Sequence, residues 1–127
     1  MKRAKGAILN NLSTAAIAPM PIIPAYSISK AAALSMTQSL RMLVASHGVS
    51  VHAVILGAID TDMNRGADIP KSPPEMAAMG IFDGLERGEE DIFPDPASHP
   101  LAEGWRAGVA KRLEREQAAY APPSAAA

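Results

Sequence analysis

Short apolar runs mark where strands are expected along this chain. Residues 7–12, Ala-Ile-Leu-Asn-Asn-Leu, predict a buried strand. Residues 51–56, Val-His-Ala-Val-Ile-Leu, are nearly continuous in apolar side chains, a pattern typical of a parallel strand that is buried on both faces. Residues 92–93 predict a third, very short strand that is ended by prolines. We therefore expect a sheet of two to three strands.

Helical periodicity fills the chain between these runs. Pro24 suits the first position of a helix, which we expect to extend to about Ser46 because Gly48 supplies a left-handed stop. Its predicted apolar stripe consists of Ala32, Met36, Leu40 and Leu43. Ser72 begins a capping-box pattern. We expect a second helix to start there and to extend to about Arg87.

A third amphipathic helix is expected from about residue 100 to residue 119. An apolar side chain recurs there every four positions, at Leu101, Trp105, Val109 and Leu113. Charges such as Lys111 and Glu114 fall mostly off this stripe. The acidic run 89–91 predicts a solvated turn, and residues 122–127 predict a disordered tail.

The alternation of strands and helices favours an α/β chain with a parallel sheet and right-handed crossovers. We predict a parallel sheet with flanking helices in residues 1–96, followed by a C-terminal amphipathic helix in residues 97–121. At 127 residues the chain is one domain at most.

Composition narrows the functional classes only slightly. Hydrophobic residues make up 48% of the chain, charged residues 20%, and the net charge is -1, which gives no reason to expect nucleic acid or an anionic membrane as partner. The chain has no cysteine, which excludes disulfides, thiol catalysis and zinc–thiolate sites, and no metal site is predicted. A reducing, cytoplasmic location is the corresponding expectation.

The first 29 residues leave an alternative to that location open. Residues 1–5 are basic and residues 6–29 carry no charge, which is faintly similar to a secretory signal that would be removed with residues 1–25. Polar side chains interrupt the apolar region, and three prolines follow at positions 19, 21 and 24. These prolines rule out a membrane-spanning helix in this stretch.

Tyr26 and Lys30 are the candidate chemical groups. Their spacing of four places both side chains on one face of a helix, one turn apart. A nearby ammonium favours the phenolate and lowers the pKa of a tyrosine, so the pair suits general acid–base work. The alternative from the residues alone is a packed Tyr26 and a solvated Lys30. Ser13 and Gly57 follow the two main strands, so this chemistry converges on the carboxyl edge of the sheet, where α/β sheets bind ligands.

The pattern of these residues resembles the short-chain dehydrogenase/reductase family. The matching pieces are the strand Ile8-Leu-Asn-Asn-Leu-Ser13, the Tyr26-x-x-x-Lys30-Ala-Ala run, and Gly48-Val-Ser-Val51 leading to Gly57-Ala-Ile-Asp-Thr61. The serine lies thirteen residues before the tyrosine, which is the spacing common in that family. The resemblance covers residues 6–63 well and the remainder loosely.

The resemblance implies an oxidoreductase that transfers hydride between NAD or NADP and a small alcohol or carbonyl substrate. In that case Tyr26 donates or accepts the proton, and Lys30 lowers the pKa of Tyr26 and binds the nicotinamide ribose. Ser13 hydrogen-bonds the substrate oxygen. The loop that contains Gly57, Ile59 and Thr61 binds the nicotinamide carboxamide and the nearby phosphate.

Two departures from the family pattern shape the expectations for this chain. The family usually has Pro-Gly where this chain has Leu56-Gly57, which loosens the nicotinamide side of the site. The chain also has no glycine-rich phosphate loop, so the resemblance extends only to the carboxyl-terminal half of the family's fold. It implies that residues 1–96 form a partial Rossmann-like, doubly wound parallel sheet of two to three strands. We therefore expect weak or no binding of NAD(P)H by the chain alone, and an open edge on the first strand.

These departures leave a second function open, a non-catalytic interaction or dimerisation module. The predicted helix 24–46 carries consecutive small residues at 31–33, which allow close packing against another subunit. We expect a homo-oligomer formed through this helix in either case.

Overall fold

Three parallel strands form one sheet in the computed structural model, which describes residues 5–123. Strand β1 is Ala7–Ser13, β2 is Ser50–Leu56 and β3 is Asp91–Ile92, in the order β1-β2-β3. The register pairs Ala7 with Ser50 and Ser13 with Leu56, so β1 and β2 are matched along their whole length. The predicted α/β class with a parallel sheet is confirmed.

Helices connect these strands close to where the apolar pattern places them. Helix α1, Pro24–Val44, leads from β1 to β2 and continues as a 3₁₀ turn, Ala45–His47. Gly48 ends it with φ of 71°, the left-handed conformation that glycine adopts without steric cost. Helix α2, Pro74–Glu86, leads from β2 to β3. Within the described residues, no helix combines the length and the hydrophobicity that crossing a bilayer requires.

The core lies around the central strand β2. Val51, Ala53, Val54 and Ile55 are at most 2% exposed, as the continuous apolar run predicts. The largest buried cluster joins β1, β2, α1 and the segment after β3, and it consists of Leu12, Ala16, Leu34, Ala53, Ile55 and Phe93.

Strand β1 is less buried than its sequence predicts. Leu12 is its one buried residue, and Ile8 is 38% exposed. The reason is that β1 lies at the edge of the sheet and pairs with β2 alone among the described residues. The expectation of a buried strand is therefore wrong for most of β1, and the expectation of an open edge agrees with the strand order.

Helix α1 buries a different face from the predicted one. Its buried residues are Ser27, Leu34 and Thr37, whereas Met36 and Leu43 of the predicted stripe are 54% and 51% exposed. The polar face can be buried because its hydroxyls are paired: the Thr37 hydroxyl donates to the Ala33 carbonyl at 2.7 Å and accepts from the Asn10 side-chain amide at 3.0 Å.

The predicted capping box of α2 is absent. The N-cap position is Pro73, and no side chain caps the helix. Ser72 instead pairs with Ile59 in a short parallel bridge, where its N–H donates to Ala58 and its carbonyl accepts from Asp60. Ser72 is therefore extended and lies one residue too early to act as the cap.

The predicted third helix is broken in two at Gly108, whose ψ of 164° is extended. A 3₁₀ turn, His99–Leu101, leads into α3, Ala102–Ala107, and α4 follows as Val109–Gln117 with a final 3₁₀ turn, Ala118–Tyr120. Residues 124–127 of the predicted tail, and residues 1–4, lie outside the described residues.

The side chains of these last helices are also arranged differently from the prediction. Val109 and Leu113 of the apolar stripe are 70% and 47% exposed, whereas Lys111 is 2% and Glu114 8% exposed. Asp91, expected in a solvated turn, is 2% exposed. Lys111 pairs with both Asp91 and Glu114, so the acidic run and α4 bury each other's charged side chains.

Candidate active site

Tyr26 and Lys30 lie together at the beginning of α1. The Lys30 ammonium lies 5.5 Å from the centroid of the Tyr26 ring, and both residues are half-buried. Lys30 Nζ also lies 3.5 Å from the backbone carbonyl of Asn11 on β1. The start of the helix thus lies against the end of the strand.

Ser27 holds the chain that leads into this helix. Its hydroxyl accepts from the Met20 N–H at 3.0 Å and donates to the Ile23 carbonyl at 3.2 Å, and the residue is 2% exposed. The loop before α1 is therefore fixed from inside, and with it the position of Tyr26. The sequence reasoning missed Ser27, although a serine on the inner face next to a candidate tyrosine was a usable signal.

Ser13 occupies the carboxyl end of β1. Its Oγ accepts from the Ala15 N–H at 3.1 Å and so caps the 3₁₀ turn Thr14–Ala16. A serine hydroxyl has one donor and two acceptor positions, so its O–H remains able to donate to another oxygen. The sheet register pairs Ser13 with Leu56, which places it beside the start of the loop after β2.

The loop after β2 contains the other predicted residues, Gly57, Ile59 and Thr61. The Gly57 N–H donates to Oδ1 of Asp95 at 3.0 Å. Ile59 is buried, and its carbonyl accepts from the Asn64 side chain at 2.7 Å. Thr61 is exposed, and its hydroxyl lies 3.5 Å from the same carbonyl. The loop is therefore anchored from within, while the threonine side chain lies at its surface.

The chemistry of these groups fits a nicotinamide ribose. An ammonium has three donors, and the one contact of Lys30 with the Asn11 carbonyl is long. In the roles that the resemblance implies, Lys30 would hold the ribose hydroxyls and the loop from Gly57 to Thr61 would hold the carboxamide. Tyr26 and Ser13 would then face the substrate oxygen.

A cavity beside α2 is lined in part by methionines. Met76 and Met79 line a cavity of about 690 Å³ with Gly80, Phe93 and other residues of α2 and the segment after β3. Met63 is 80% exposed and does not line it. The candidate catalytic side chains Ser13, Tyr26 and Lys30 are not among the residues that line this cavity.

A second group of charges, apart from these residues, joins α1, β3 and α4. Burial alone would lower the pKa of Lys111, but its hydrogen bonds with Asp91 and Glu90 outweigh burial and raise the pKa above its ordinary value. Burial alone would raise the pKa of Asp91, but Arg41 and Lys111 outweigh it and lower the pKa. Lys111 and Asp91 are therefore charged at neutral pH, and their pairing stabilises the fold without contacting the candidate site.

Comparisons with known proteins show which family of proteins the chain is similar to. The sequence model described as short chain dehydrogenase matches residues 1–71. An uncharacterized oxidoreductase of Staphylococcus epidermidis is 35% identical over 85 residues, which is 67% of this chain and 36% of that protein. Sorbitol dehydrogenase of Cereibacter sphaeroides is 31% identical over 85 residues, 67% of this chain and 30% of that enzyme.

A solved structure shows the same similarity in three dimensions. A short chain dehydrogenase from Burkholderia cenocepacia, crystallised in complex with NADP, superposes with a TM-score of 0.72 at 34% identity. The superposition covers 87% of this chain and 46% of that one. The chain thus spans about a third of the curated relatives named above and just under half of the solved one.

Proposed function

The chain belongs to the short chain dehydrogenase family, and from this we propose that it serves an NAD(P)-dependent oxidoreductase acting on a hydroxyl or carbonyl group. The observation that carries the proposal is the contact of the Lys30 ammonium with the Tyr26 ring at 5.5 Å, at the carboxyl edge of a parallel sheet. Ligands of α/β sheets bind at that edge. The nicotinamide cofactor, when bound, supplies or accepts the hydride.

Tyr26 acts as the general acid during carbonyl reduction and as the general base during alcohol oxidation. The charge that builds on the substrate oxygen needs a hydrogen-bond donor, and the free O–H of Ser13 supplies one. Lys30 fixes the ribose and keeps a positive charge beside the phenol. A side chain in such a role typically accelerates a reaction by about 10²–10⁴-fold.

The cofactor is NAD or NADP in this proposal. The Burkholderia cenocepacia structure holds NADP, which supports a nicotinamide dinucleotide without fixing the preference of this chain. The sequence contains no glycine-rich phosphate loop. We therefore expect this chain alone to bind the cofactor weakly, with the nicotinamide end as its main contact.

The test combines binding with turnover on the purified 127-residue chain. Calorimetry with NADH and NADPH at millimolar concentration measures binding, and reduction of a panel of ketones and aldehydes measures activity. Tyr26→Phe should lower turnover by about 10²-fold or more while leaving cofactor binding in place. Tyr120→Phe is the matched control because Tyr120 is 86% exposed. A wild type with measurable turnover that Tyr26→Phe matches would refute the role of Tyr26.

We also propose that α1 forms the contact between copies of this chain. The outward face of α1 exposes Ile28, Met36 and Leu43 at 70%, 54% and 51%. Small side chains at 31 and 32 are exposed on the same helix, so a second helix could approach closely. Exposed apolar side chains in a row of this kind mark association surfaces in soluble proteins.

A further inference from the structure

We propose that Asp95 is the positioning residue that holds the Gly57–Thr61 loop in the conformation that would receive the nicotinamide end of the cofactor. The inference rests on the function proposed above, because it assigns a residue to that site. Asp95 lies beyond β3, far from the site in sequence, and none of the patterns in the sequence points to it. It acts through a backbone amide and has no assigned contact with substrate or cofactor.

The first support is the burial and pairing of the Asp95 carboxylate. Asp95 is 0% exposed, and its Oδ1 accepts from the Gly57 N–H at 3.0 Å and from the Ser98 hydroxyl at 2.7 Å. A hydrogen bond to a buried side-chain acceptor is costly to lose, because the donor is then left without a partner. The first residue after β2 is thus held by a buried side chain from the segment that follows β3.

The carboxylate is itself held in place. The Asp95 carbonyl accepts from the N–H groups of Ser98 and His99 at 3.0 and 2.9 Å, which closes a tight turn. Ser98 is also 0% exposed, and its hydroxyl bridges the carbonyl and the carboxylate of Asp95. Both the backbone and the carboxylate of Asp95 are therefore fixed by the turn after β3. Through its hydrogen bond to the Gly57 N–H, this turn determines the position of Gly57.

The packing around Gly57 shows how closely the two segments fit. A Cβ at position 57 would lie 2.6 Å from Oδ2 of Asp95 and 2.6 Å from the Ala97 Cβ. Only glycine therefore permits this approach. Among the described residues, Oδ2 of Asp95 is the buried side-chain oxygen or nitrogen without a hydrogen-bond partner. Burying a polar atom without a hydrogen-bond partner costs free energy. The contact of Oδ1 with Gly57 and Ser98 is a reason for Asp95 to stay buried despite that cost.

Asp95 completes a set of anchors along the loop. Further along, the backbone of Ser72 binds Ala58 and Asp60 at 3.0 and 2.9 Å, and the Asn64 side chain binds the Ile59 carbonyl. Those contacts hold the loop beyond Gly57, whereas Asp95 holds the junction between strand and loop. Ser13 lies opposite Leu56 in the sheet. The junction between β2 and the loop therefore also sets the distance between the loop and the Ser13 hydroxyl.

The experiment compares Asp95→Ala with Asp95→Asn in the full chain. Amide hydrogen exchange and ¹H–¹⁵N spectra report on Gly57 and on the loop, and the amides of β2 report on the fold. Asp95→Ala should speed exchange at Gly57 by about tenfold or more, since the acceptor of the Gly57 N–H is lost, and should shift the resonances of the loop. Asp95→Asn keeps a side-chain oxygen and should restore most of the protection. Asp83→Ala, on the exposed side of α2, is the matched control.

Titration with NADPH then links the loop to the cofactor. If the wild type binds NADPH, Asp95→Ala should weaken binding by about tenfold and Asp95→Asn by less. Equal Gly57 exchange in the wild type and Asp95→Ala, or equal NADPH affinity with the loop released, would overturn the assignment. If the wild type binds no nicotinamide nucleotide, the proposed function of this chain fails, and the assignment of Asp95 to a cofactor loop fails with it even where the exchange data show the anchor.

A variant that keeps the Asp95 side chain guards against loss of folding. Ser98→Ala deletes one of the two donors to Oδ1 and leaves the Gly57 contact in place. It should raise Gly57 exchange by a smaller factor than Asp95→Ala, with β2 unaffected. Faster exchange throughout β2 would show global destabilisation and would count against a local positioning role.

Discussion

Lys111 Nζ lies 2.8 Å from Oδ2 of Asp91, and the two side chains are 2% and 1% exposed. The indole N–H of Trp105 donates to the same carboxylate oxygen at 2.7 Å, and Arg41 binds the other oxygen at 2.7 Å. One carboxylate at the start of β3 thus receives donors from α1, α3 and α4. The C-terminal helices are attached to the sheet by charge as well as by apolar packing.

Removing the Asp91 charge should destabilise the fold strongly. Asp91→Asn leaves the buried ammonium of Lys111 without its closest buried carboxylate partner. Removing one partner of a buried ion pair typically costs about 3–5 kcal/mol. Urea denaturation followed by circular dichroism measures the loss. Glu116→Gln is the control, since its pair with Arg112 is 4.0 Å long and largely exposed, and it should change stability by less than about 0.5 kcal/mol. A similar small change for Asp91→Asn would contradict the role given to this cluster.

The same cluster makes stability depend on pH in a predictable direction. Burial alone would raise the pKa of Asp91, but Arg41 and Lys111 lower it below its ordinary value of 3.8. A carboxylate whose pKa is lower in the folded state stabilises the fold above its ordinary pKa. That contribution is lost as the pH falls through the lowered, folded-state value. Unfolding free energy should therefore decline below about pH 4.

The loss of stability at high pH follows from Lys111. Burial alone would lower its pKa, but Asp91 and Glu90 raise the pKa above its ordinary value of 10.5. Its stabilisation is complete below the ordinary value and is lost as the pH rises through the raised, folded-state value. Denaturation midpoints measured from pH 2 to pH 12 should show a plateau between these limits. In Asp91→Asn the acid limb should become shallower, and an unchanged acid limb would exclude Asp91 as a contributor.

Helix α2 should be intolerant of a side chain at Gly80. A Cβ there would contact the Pro94 carbonyl oxygen and lie 2.9 Å from the Pro94 Cα, both backbone atoms that cannot rotate away. Overpacking of this kind typically costs about 1–3 kcal/mol, so Gly80→Ala should lower the denaturation midpoint.

Gly104→Ala is the matched control for Gly80→Ala. A Cβ at Gly104, within α3, has no neighbour within 4 Å, and alanine favours a helix over glycine by about 0.5–1 kcal/mol. Equal effects of the two variants would show that helix propensity, and not the approach to Pro94, decides the outcome.

The sequence predicts the local parts of this structure well because they depend on short-range patterns. The continuous run 51–56 specifies a buried central strand, and Gly48 specifies the end of α1. Tyr26 and Lys30 are one helical turn apart, so their contact also follows from spacing alone. The family resemblance is confirmed for the same reason, since its motifs lie in these segments.

The misplaced parts depend on contacts between residues far apart in sequence. Lys111 and Asp91 are each polar by pattern, and only their pairing makes burial possible. Thr37 is buried against Asn10 on β1, which moves the inner face of α1 away from its most apolar stripe. Asp95 reaches Gly57 across the sheet, a contact that no spacing within one segment reveals.

The exposed face of α1 leads to the last prediction, which concerns association. Met36 and Leu43 are about half-exposed on a helix whose inner face is already filled, so the predicted apolar stripe is free to contact a second copy. Replacing Met36 and Leu43 together by glutamate places two like charges in that contact. Truncating or charging central interface residues commonly costs about 2 kcal/mol or more, so the dissociation constant should rise by about 30-fold or more.

Sedimentation equilibrium over a range of concentrations measures this association. The wild type should form dimers or larger oligomers, and the double glutamate variant should be monomeric at the same concentrations. Val109→Glu is the matched control, because Val109 is 70% exposed but lies on α4, and it should leave the oligomer intact. A monomeric wild type at high concentration, or an oligomer that Val109→Glu dissociates and the α1 variant does not, would move the contact away from α1.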